Sequence, residues 1–129
     1  MNPQTKIIAV YGSLRKNMGN HGLISHSTLL ETTTVSLPYK MISLGGFPGL
    51  IKSDQNNEIT IELYEVDDAT YKRVERLEGY PSFYDKHNFS LKGYEKPIEI
   101  YVLNETDKYY SKFGSTEEHI SDWTKYKMK

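Results

Sequence analysis

The chain has 129 residues, 37% of them hydrophobic, and its 16 basic and 17 acidic side chains leave a formal net charge of −1. That length suits one domain, residues 1–129, and the balanced charge argues against nucleic acid as a partner. The chain has no cysteine, which excludes a disulfide framework, a thiol nucleophile and a cysteine zinc site. With no apolar signal run and no bilayer-length stretch, we expect a cytoplasmic protein without a membrane partner.

The N-terminal segment predicts a buried strand that opens into a tight loop. Residues 6–11 form a short apolar run, which Gly12 and Ser13 end. A turn-rich stretch follows, and then residues 21–27 predict a short helix with Asn20 as its N-cap.

The next part of the chain predicts a series of strands. Residues 31–37 are rich in β-branched side chains and indicate a strand that Pro38 ends, and residues 39–44 begin another. Residues 53–57 carry a hairpin signal. After it the sequence alternates, with Ile59, Ile61 and Leu63 on one face of a strand and Glu62 and Tyr64 on the other.

One helix is expected between the fourth and fifth strands. Asp67 or Asp68 can cap it, its apolar residues recur at helical spacing through Leu77, and Gly79 and Pro81 end it. Residues 83–91 and 97–103 predict two more strands. The tail has a capping pattern at residues 115–118 and a helix-like segment that contains Trp123. Strands joined by short connections favour an antiparallel or mixed sheet, so we predict an α+β domain resembling a β-barrel.

Simple catalytic signatures are absent from the sequence. No nucleotide-binding glycine motif follows a strand, the four histidines lack metal-ligand spacing, and no nucleophile elbow surrounds Ser13. We therefore expect no metal site.

Two segments offer chemistry nevertheless. In the turn Tyr11-Gly12-Ser13-Leu14, backbone N–H groups that leave the strand can point at an anionic group, although a plain strand-ending turn reads equally well. Glu78 lies at a helix C-terminus, where the helix dipole disfavours an anion, and apolar neighbours should raise its pKa. A carboxyl group of that kind can act as a base near neutral pH, but many helix-terminal glutamates have no role.

These segments resemble the gamma-glutamylcyclotransferase-like family. The resemblance rests on the order and spacing of residues 11–15, 19–21, 44–50, 62–66, 77–84 and 121–123. Glu78, Pro81 and Tyr84 are most similar to the motif of the gamma-glutamylamine cyclotransferases. The resemblance implies a small mixed β-barrel flanked by short helices, with a cavity between the first loop and the helix end.

The resemblance also implies a reaction and roles for residues. The α-amino group of a gamma-glutamyl unit would attack its own γ-carbonyl, releasing 5-oxoproline and an amine without a cofactor. Glu78 would be the general base and acid. The substrate would be bound by Tyr11, Gly12, Ser13, Leu14, Asn20 and Tyr84.

Two charged residues leave alternatives open. Family members often have glycine at the position of Glu62, whose carboxylate could enter or border the cavity or point to solvent. Arg15 could clamp a substrate carboxylate or lie at a solvated rim. The alternatives to an enzyme are a non-catalytic module that binds a small metabolite in the same cavity, and an adaptor domain that uses its many tyrosines.

Overall fold

A computed structural model describes residues 5–104 and 118–127 as one five-stranded mixed sheet with short helices. The strands are β1 (Thr5–Val10), β2 (Thr28–Ser43), β3 (Pro48–Asp67), β4 (Tyr84–Phe89) and β5 (Ile98–Leu103), in the sheet order β2-β3-β1-β5-β4. The helices are a 3-10 helix (His21–Ile24), α1 (Asp68–Leu77) and α2 (Trp123–Lys127). Strand β1 runs parallel to β5, whereas the other neighbouring strands are antiparallel. The predicted α+β class with a mixed sheet is confirmed.

The resemblance implied a small mixed β-barrel, closed or nearly closed, and in the described residues the sheet is not closed. Strands β2 and β4 form its two edges and share no backbone ladder. They meet through side chains instead: the Tyr39 hydroxyl lies 2.7 Å from His87 Nδ1, and the two ring centroids are 5.6 Å apart. A side-chain contact replaces the ladder that would close a barrel.

The long hairpin of β2 and β3 differs from the predicted set of shorter strands. Its pairing runs from Thr28–Glu65 to Ser43–Pro48, with a register shift between Leu37 and Tyr39. Pro38 therefore does not end the strand, because at a register shift its missing N–H is not needed for the ladder. Residues 53–57 are also not the hairpin turn. They lie within β3 opposite this shift, where residues 53–56 have no partner in the ladder and Asn57 pairs with Leu37.

The predicted alternation of β3 places residues on two faces of the sheet. Ile59, Ile61 and Leu63 are all 0% exposed and belong to one apolar cluster, whereas Tyr64 and Val66 belong to a second cluster on the opposite face. Helix α1 contributes Tyr71 and Val74 to this second cluster. Burying both faces in this way gives the sheet a core on each side.

The ends of α1 agree with the predicted capping residues. The Asp67 carboxylate accepts a hydrogen bond from the Thr70 N–H at 2.8 Å, which satisfies one of the open donors of the first turn. The helix ends at Leu77, and Gly79 follows with a φ of 64°, a left-handed conformation that suits glycine. Asn20 does not cap the 3-10 helix through its side chain.

The C-terminal segment binds across the β2–β3 hairpin. The Met41 N–H donates to His119 Nδ1 at 3.0 Å, and His119 Nε2 lies 2.7 Å from the Glu58 carbonyl oxygen. Trp123, at the start of α2, is fully buried. Most of the capping pattern at residues 115–118 lies outside the described residues. No helix in the described part of the chain is long and apolar enough to cross a membrane.

Candidate active site

A cavity of about 540 Å³ lies at the C-terminal end of β1. Two segments that are far apart in sequence meet here, because the loop after β1 faces the C-terminal end of α1. All seven residues predicted for the site line this cavity: Tyr11, Gly12, Ser13, Leu14, Asn20, Glu78 and Tyr84.

Glu78 is the C-cap residue of α1, and its carboxyl group faces the cavity. Its backbone N–H donates to the Val74 carbonyl oxygen at 2.9 Å, which fixes the residue to the helix. Within residues 5–104 and 118–127, its side chain has no hydrogen-bond or ion-pair partner. Desolvation raises the pKa of Glu78 from 4.5 to about 7, as predicted in direction from its apolar neighbours. The group can therefore take up and release a proton near neutral pH.

The loop after β1 lines the same cavity and contains backbone N–H donors. A turn bonds the Arg15 N–H to the Gly12 carbonyl oxygen at 3.0 Å. In the described part of the chain, the N–H groups of Gly12, Ser13 and Leu14 donate to no acceptor. Such a row of unpaired N–H groups suits a carboxylate or a developing oxyanion.

Asn20 and Gly12 hold this loop in shape. Asn20 Nδ2 donates to Ser13 Oγ at 2.9 Å, and the Asn20 N–H donates to the Ser13 carbonyl oxygen at 2.8 Å. A Cβ atom on Gly12 would lie 2.6 Å from Cγ of Pro48, so the glycine allows the loop to pack directly against Pro48.

Three tyrosines, Tyr11, Tyr84 and Tyr101, line the cavity. The Tyr11 hydroxyl donates to the Tyr101 carbonyl oxygen at 2.6 Å, and the Tyr84 hydroxyl donates to the Pro48 carbonyl oxygen at 2.5 Å. Burial raises the pKa of all three phenols well above the ordinary value, and the Glu78 carboxylate adds to each rise. These hydroxyls therefore keep their protons at physiological pH.

The outer wall of the cavity is apolar. It contains Met18, Phe47, Leu77 and Phe83, and the rings of Phe47 and Phe83 lie 6.0 Å apart between centroids. Phe47 is 39% exposed and Leu77 is 44% exposed. Among the described lining residues Glu78 is the sole carboxylic acid, and none of them is basic.

Arg15 and Glu62 do not line this cavity. Arg15 is 6% exposed and Glu62 is 4% exposed. Arg15 Nε donates to Glu62 at 2.8 Å, and its guanidinium also donates to Asp122 at 2.8 Å. Glu62 further accepts from the Lys16 N–H at 2.8 Å and from the Tyr64 hydroxyl at 2.9 Å.

This buried ion cluster corrects both expectations about Arg15 and Glu62. Arg15 is neither a solvated rim residue nor a clamp inside the cavity, and the Glu62 carboxylate adds no charge there. The cluster instead ties the loop after β1 to β3 and to the C-terminal segment. The sequence could not show this, because Asp122 comes from a segment 107 positions away from Arg15.

Tyr101 is a cavity residue that the sequence analysis did not single out. It lies on β5, one position beyond the Ala9–Ile100 pair that ends the parallel ladder between β1 and β5. The alternating pattern of β5 shows Tyr101 on the face opposite Ile98 and Ile100. Tyr101 lies near the loop after β1 because β5 pairs with β1 in parallel. The sequence did not predict this pairing.

Residues 5–104 and 118–127 hold no group of three or more histidine, aspartate or glutamate side chains arranged to bind a metal ion.

Comparison with known proteins shows which family the chain is similar to. A family model described as gamma-glutamyl cyclotransferase, AIG2-like, matches residues 8–125. A Vibrio cholerae protein with a provisional gamma-glutamylcyclotransferase name is 31% identical over 120 residues, which cover 91% of this chain and 94% of the relative. The gamma-L-glutamyl-butirosin B gamma-glutamyl cyclotransferase of Niallia circulans is 30% identical over 126 residues, covering 92% of this chain and 76% of the relative.

Solved structures show the same fold. The crystal structure of an AIG2-like protein from Mus musculus matches with a TM-score of 0.71 at 18% identity, covering 93% of this chain and 88% of the mouse protein. The chain thus has the same overall fold as this mouse protein.

Proposed function

The chain belongs to the gamma-glutamyl cyclotransferase, AIG2-like family, and from this premise we propose that it releases 5-oxoproline from gamma-glutamyl amines or dipeptides. The observation that carries the proposal is the Glu78 carboxyl group, which is desolvated and unpaired among the described residues and lines the same cavity as the first loop.

The proposed reaction is an intramolecular acyl transfer. The α-amino nitrogen of the glutamyl unit forms a bond to the γ-carbonyl carbon, and the bond from that carbon to the departing amine breaks. A five-membered lactam results. Because the nucleophile and the electrophile belong to one molecule, holding the chain folded in the cavity lowers a large part of the barrier.

Glu78 carries protons between the two nitrogens in this scheme. Its carboxylate accepts a proton from the α-ammonium group, which makes the nitrogen nucleophilic, and the carboxylic acid then donates that proton to the departing nitrogen. The restored carboxylate removes the second proton that the ring nitrogen carries after attack and passes it to the released amine. A pKa of about 7 suits both steps, since neither form is rare near neutral pH. A bound substrate ammonium group would lower this pKa and favour the first step.

The first loop has the complementary role. Its N–H groups bind the glutamyl carboxylate or the carbonyl oxygen that becomes negative during attack. Asn20 keeps these donors in place through Ser13, and Tyr84 shapes the cavity through its bond to Pro48. No step calls for a metal or an organic cofactor.

A turnover assay tests the proposal. The purified protein is incubated with gamma-glutamyl amino acids, gamma-glutamyl-ε-lysine and glutathione, and 5-oxoproline is measured by mass spectrometry. We expect product from at least one compound and its loss in Glu78→Gln. Glu75→Gln is the matched control, because Glu75 lies three residues earlier and contacts Lys86 outside the cavity. Ligand binding without product in the unmodified protein would favour the metabolite-binding module instead.

A further inference from the structure

Tyr101 brings a further unpaired polar group to the cavity. Tyr101 is 3% exposed, and its hydroxyl is buried without a hydrogen-bond partner among the described residues. Buried hydroxyl groups are almost always hydrogen-bonded, because desolvation without a partner is unfavourable. An unpaired one therefore calls for an explanation.

The two neighbouring phenols show why Tyr101 is different. The hydroxyls of Tyr11 and Tyr84 each donate to a backbone carbonyl oxygen, so their donor capacity is used in building the cavity. Tyr101 contributes its carbonyl oxygen to this framework, as the acceptor for Tyr11, but its own hydroxyl proton remains available. Its ring lines the cavity together with Glu78.

We propose that the Tyr101 hydroxyl is a substrate-binding donor, which hydrogen-bonds an oxygen of the gamma-glutamyl unit held against Glu78. This inference rests on the proposed function. The backbone that carries this ring is held on both sides, because β5 pairs with β1 and β4 and the Tyr11 hydroxyl donates to the Tyr101 carbonyl oxygen. A donor held so rigidly binds a ligand oxygen with little loss of conformational freedom.

The phenol also has the right protonation state. Burial, followed by the nearby Tyr71 and Glu78, raises the pKa of Tyr101, so the hydroxyl keeps its proton over the whole working range of Glu78. Tyr101 therefore donates and does not exchange protons. Glu78 carries the proton transfer, and Tyr101 positions the oxygen beside it.

The test is Tyr101→Phe, which removes one oxygen atom and keeps the ring. In the unliganded protein no hydrogen bond among the described residues is lost, so we expect the thermal unfolding temperature to stay equal or rise. With a substrate, we expect kcat/KM to fall about tenfold to a hundredfold, the effect of losing one hydrogen bond to a charged or developing-charge oxygen. A fall in kcat would assign the γ-carbonyl oxygen, and a rise in KM alone would assign the carboxylate.

The matched control is Tyr94→Phe, since the Tyr94 hydroxyl donates to Glu31 outside the cavity. We expect this variant to keep its kcat/KM. If Tyr101→Phe turns over substrate like the unmodified protein, the role of Tyr101 is overturned while the proposed function stands. If the unmodified protein releases no 5-oxoproline from any compound, the proposed function itself is overturned and the substrate role of Tyr101 with it.

Discussion

Two glutamates, the buried Glu62 and the half-buried Glu78, have very different surroundings. Three donors reach the Glu62 carboxylate: the Arg15 guanidinium, the Lys16 N–H and the Tyr64 hydroxyl. The Glu78 carboxyl group has no partner among the described residues, and its pKa is about 7. The comparison teaches that burial does not make a carboxylate reactive when donors satisfy it. A desolvated carboxyl group without donors can exchange protons near neutral pH.

The largest effect is expected on activity at Glu78. In Glu78→Gln the side chain keeps its size but can no longer accept or donate the transferred proton, so we expect turnover to fall by about 10²–10⁴-fold. The rate of 5-oxoproline release measures this loss. Turnover within about threefold of the unmodified protein would show that Glu78 is not the proton carrier.

At Glu62, the glutamate-to-glutamine substitution should lower the stability of the protein. Glu62→Gln leaves the buried Arg15 with only Asp122 as a full counter-charge, and we expect the free energy of unfolding to fall by about 3 kcal/mol. Urea denaturation measures it, with Glu78→Gln as the control for which no loss is expected. Equal stability of the two variants would contradict the contrast between the two carboxylates.

A smaller effect is expected in the loop that faces Glu78. In Gly12→Ala the new Cβ would lie 2.7 Å from Pro48 Cδ, so Pro48 or the loop must move. We expect a loss of about 1–3 kcal/mol in stability, together with weaker turnover, because Pro48 also bonds Tyr84.

Gly19→Ala is the control for this prediction. It lies in the same loop, also lines the cavity, and has no neighbouring atom within 4 Å of the added Cβ. A loss of stability as large in Gly19→Ala would show that the loop is sensitive to any side chain, not to the contact with Pro48.

The smallest effect is the pH dependence of stability that Glu78 adds. Its pKa is about 7 in the folded protein and near 4.5 when unfolded, so the folded state holds the extra proton between these values. Stability from this group is therefore complete below about pH 4.5 and falls as pH rises toward 7. Glu78→Gln lacks this fall. After allowance for partial exposure, we expect it to exceed the unmodified protein by roughly 1–2 kcal/mol at pH 8.

Thermal unfolding of the two proteins between pH 5 and pH 8 measures this difference. A gap that widens with pH and levels off above pH 7 agrees with the account. A gap that is constant across the range would mean that the Glu78 carboxyl group titrates at the same pH in the folded and unfolded protein.

Much of this fold could be predicted from local patterns. The alternation of β3, the Asp67 cap of α1 and the stop at Gly79 depend on residues close in sequence, and the structure agrees with all three. The continuity of β2 through Pro38 was missed, because a register shift depends on the partner strand. Whether the sheet closes into a barrel could not be predicted for a similar reason, since closure depends on how two distant edges meet.

The residues of the candidate site likewise include some that the sequence could predict and some that it could not. The loop after β1 and Glu78 could be located from their own neighbours and from the family resemblance. Arg15, Glu62 and Tyr101 could not be assigned, because their partners and surroundings come from remote parts of the chain. The ion pair of Arg15 with Asp122 forms only in the folded molecule. The same holds for the Tyr101 hydroxyl, which has no partner among the described residues.

The most direct test of the account is a titration of the Glu78 carboxyl carbon by NMR between pH 3 and pH 9, with Glu78→Gln used to assign the signal. We predict a midpoint near pH 7, since desolvation disfavours the anion and no described donor offsets it. A midpoint at the ordinary value of 4.5 would contradict the account, because Glu78 would then be a solvated carboxylate like any other.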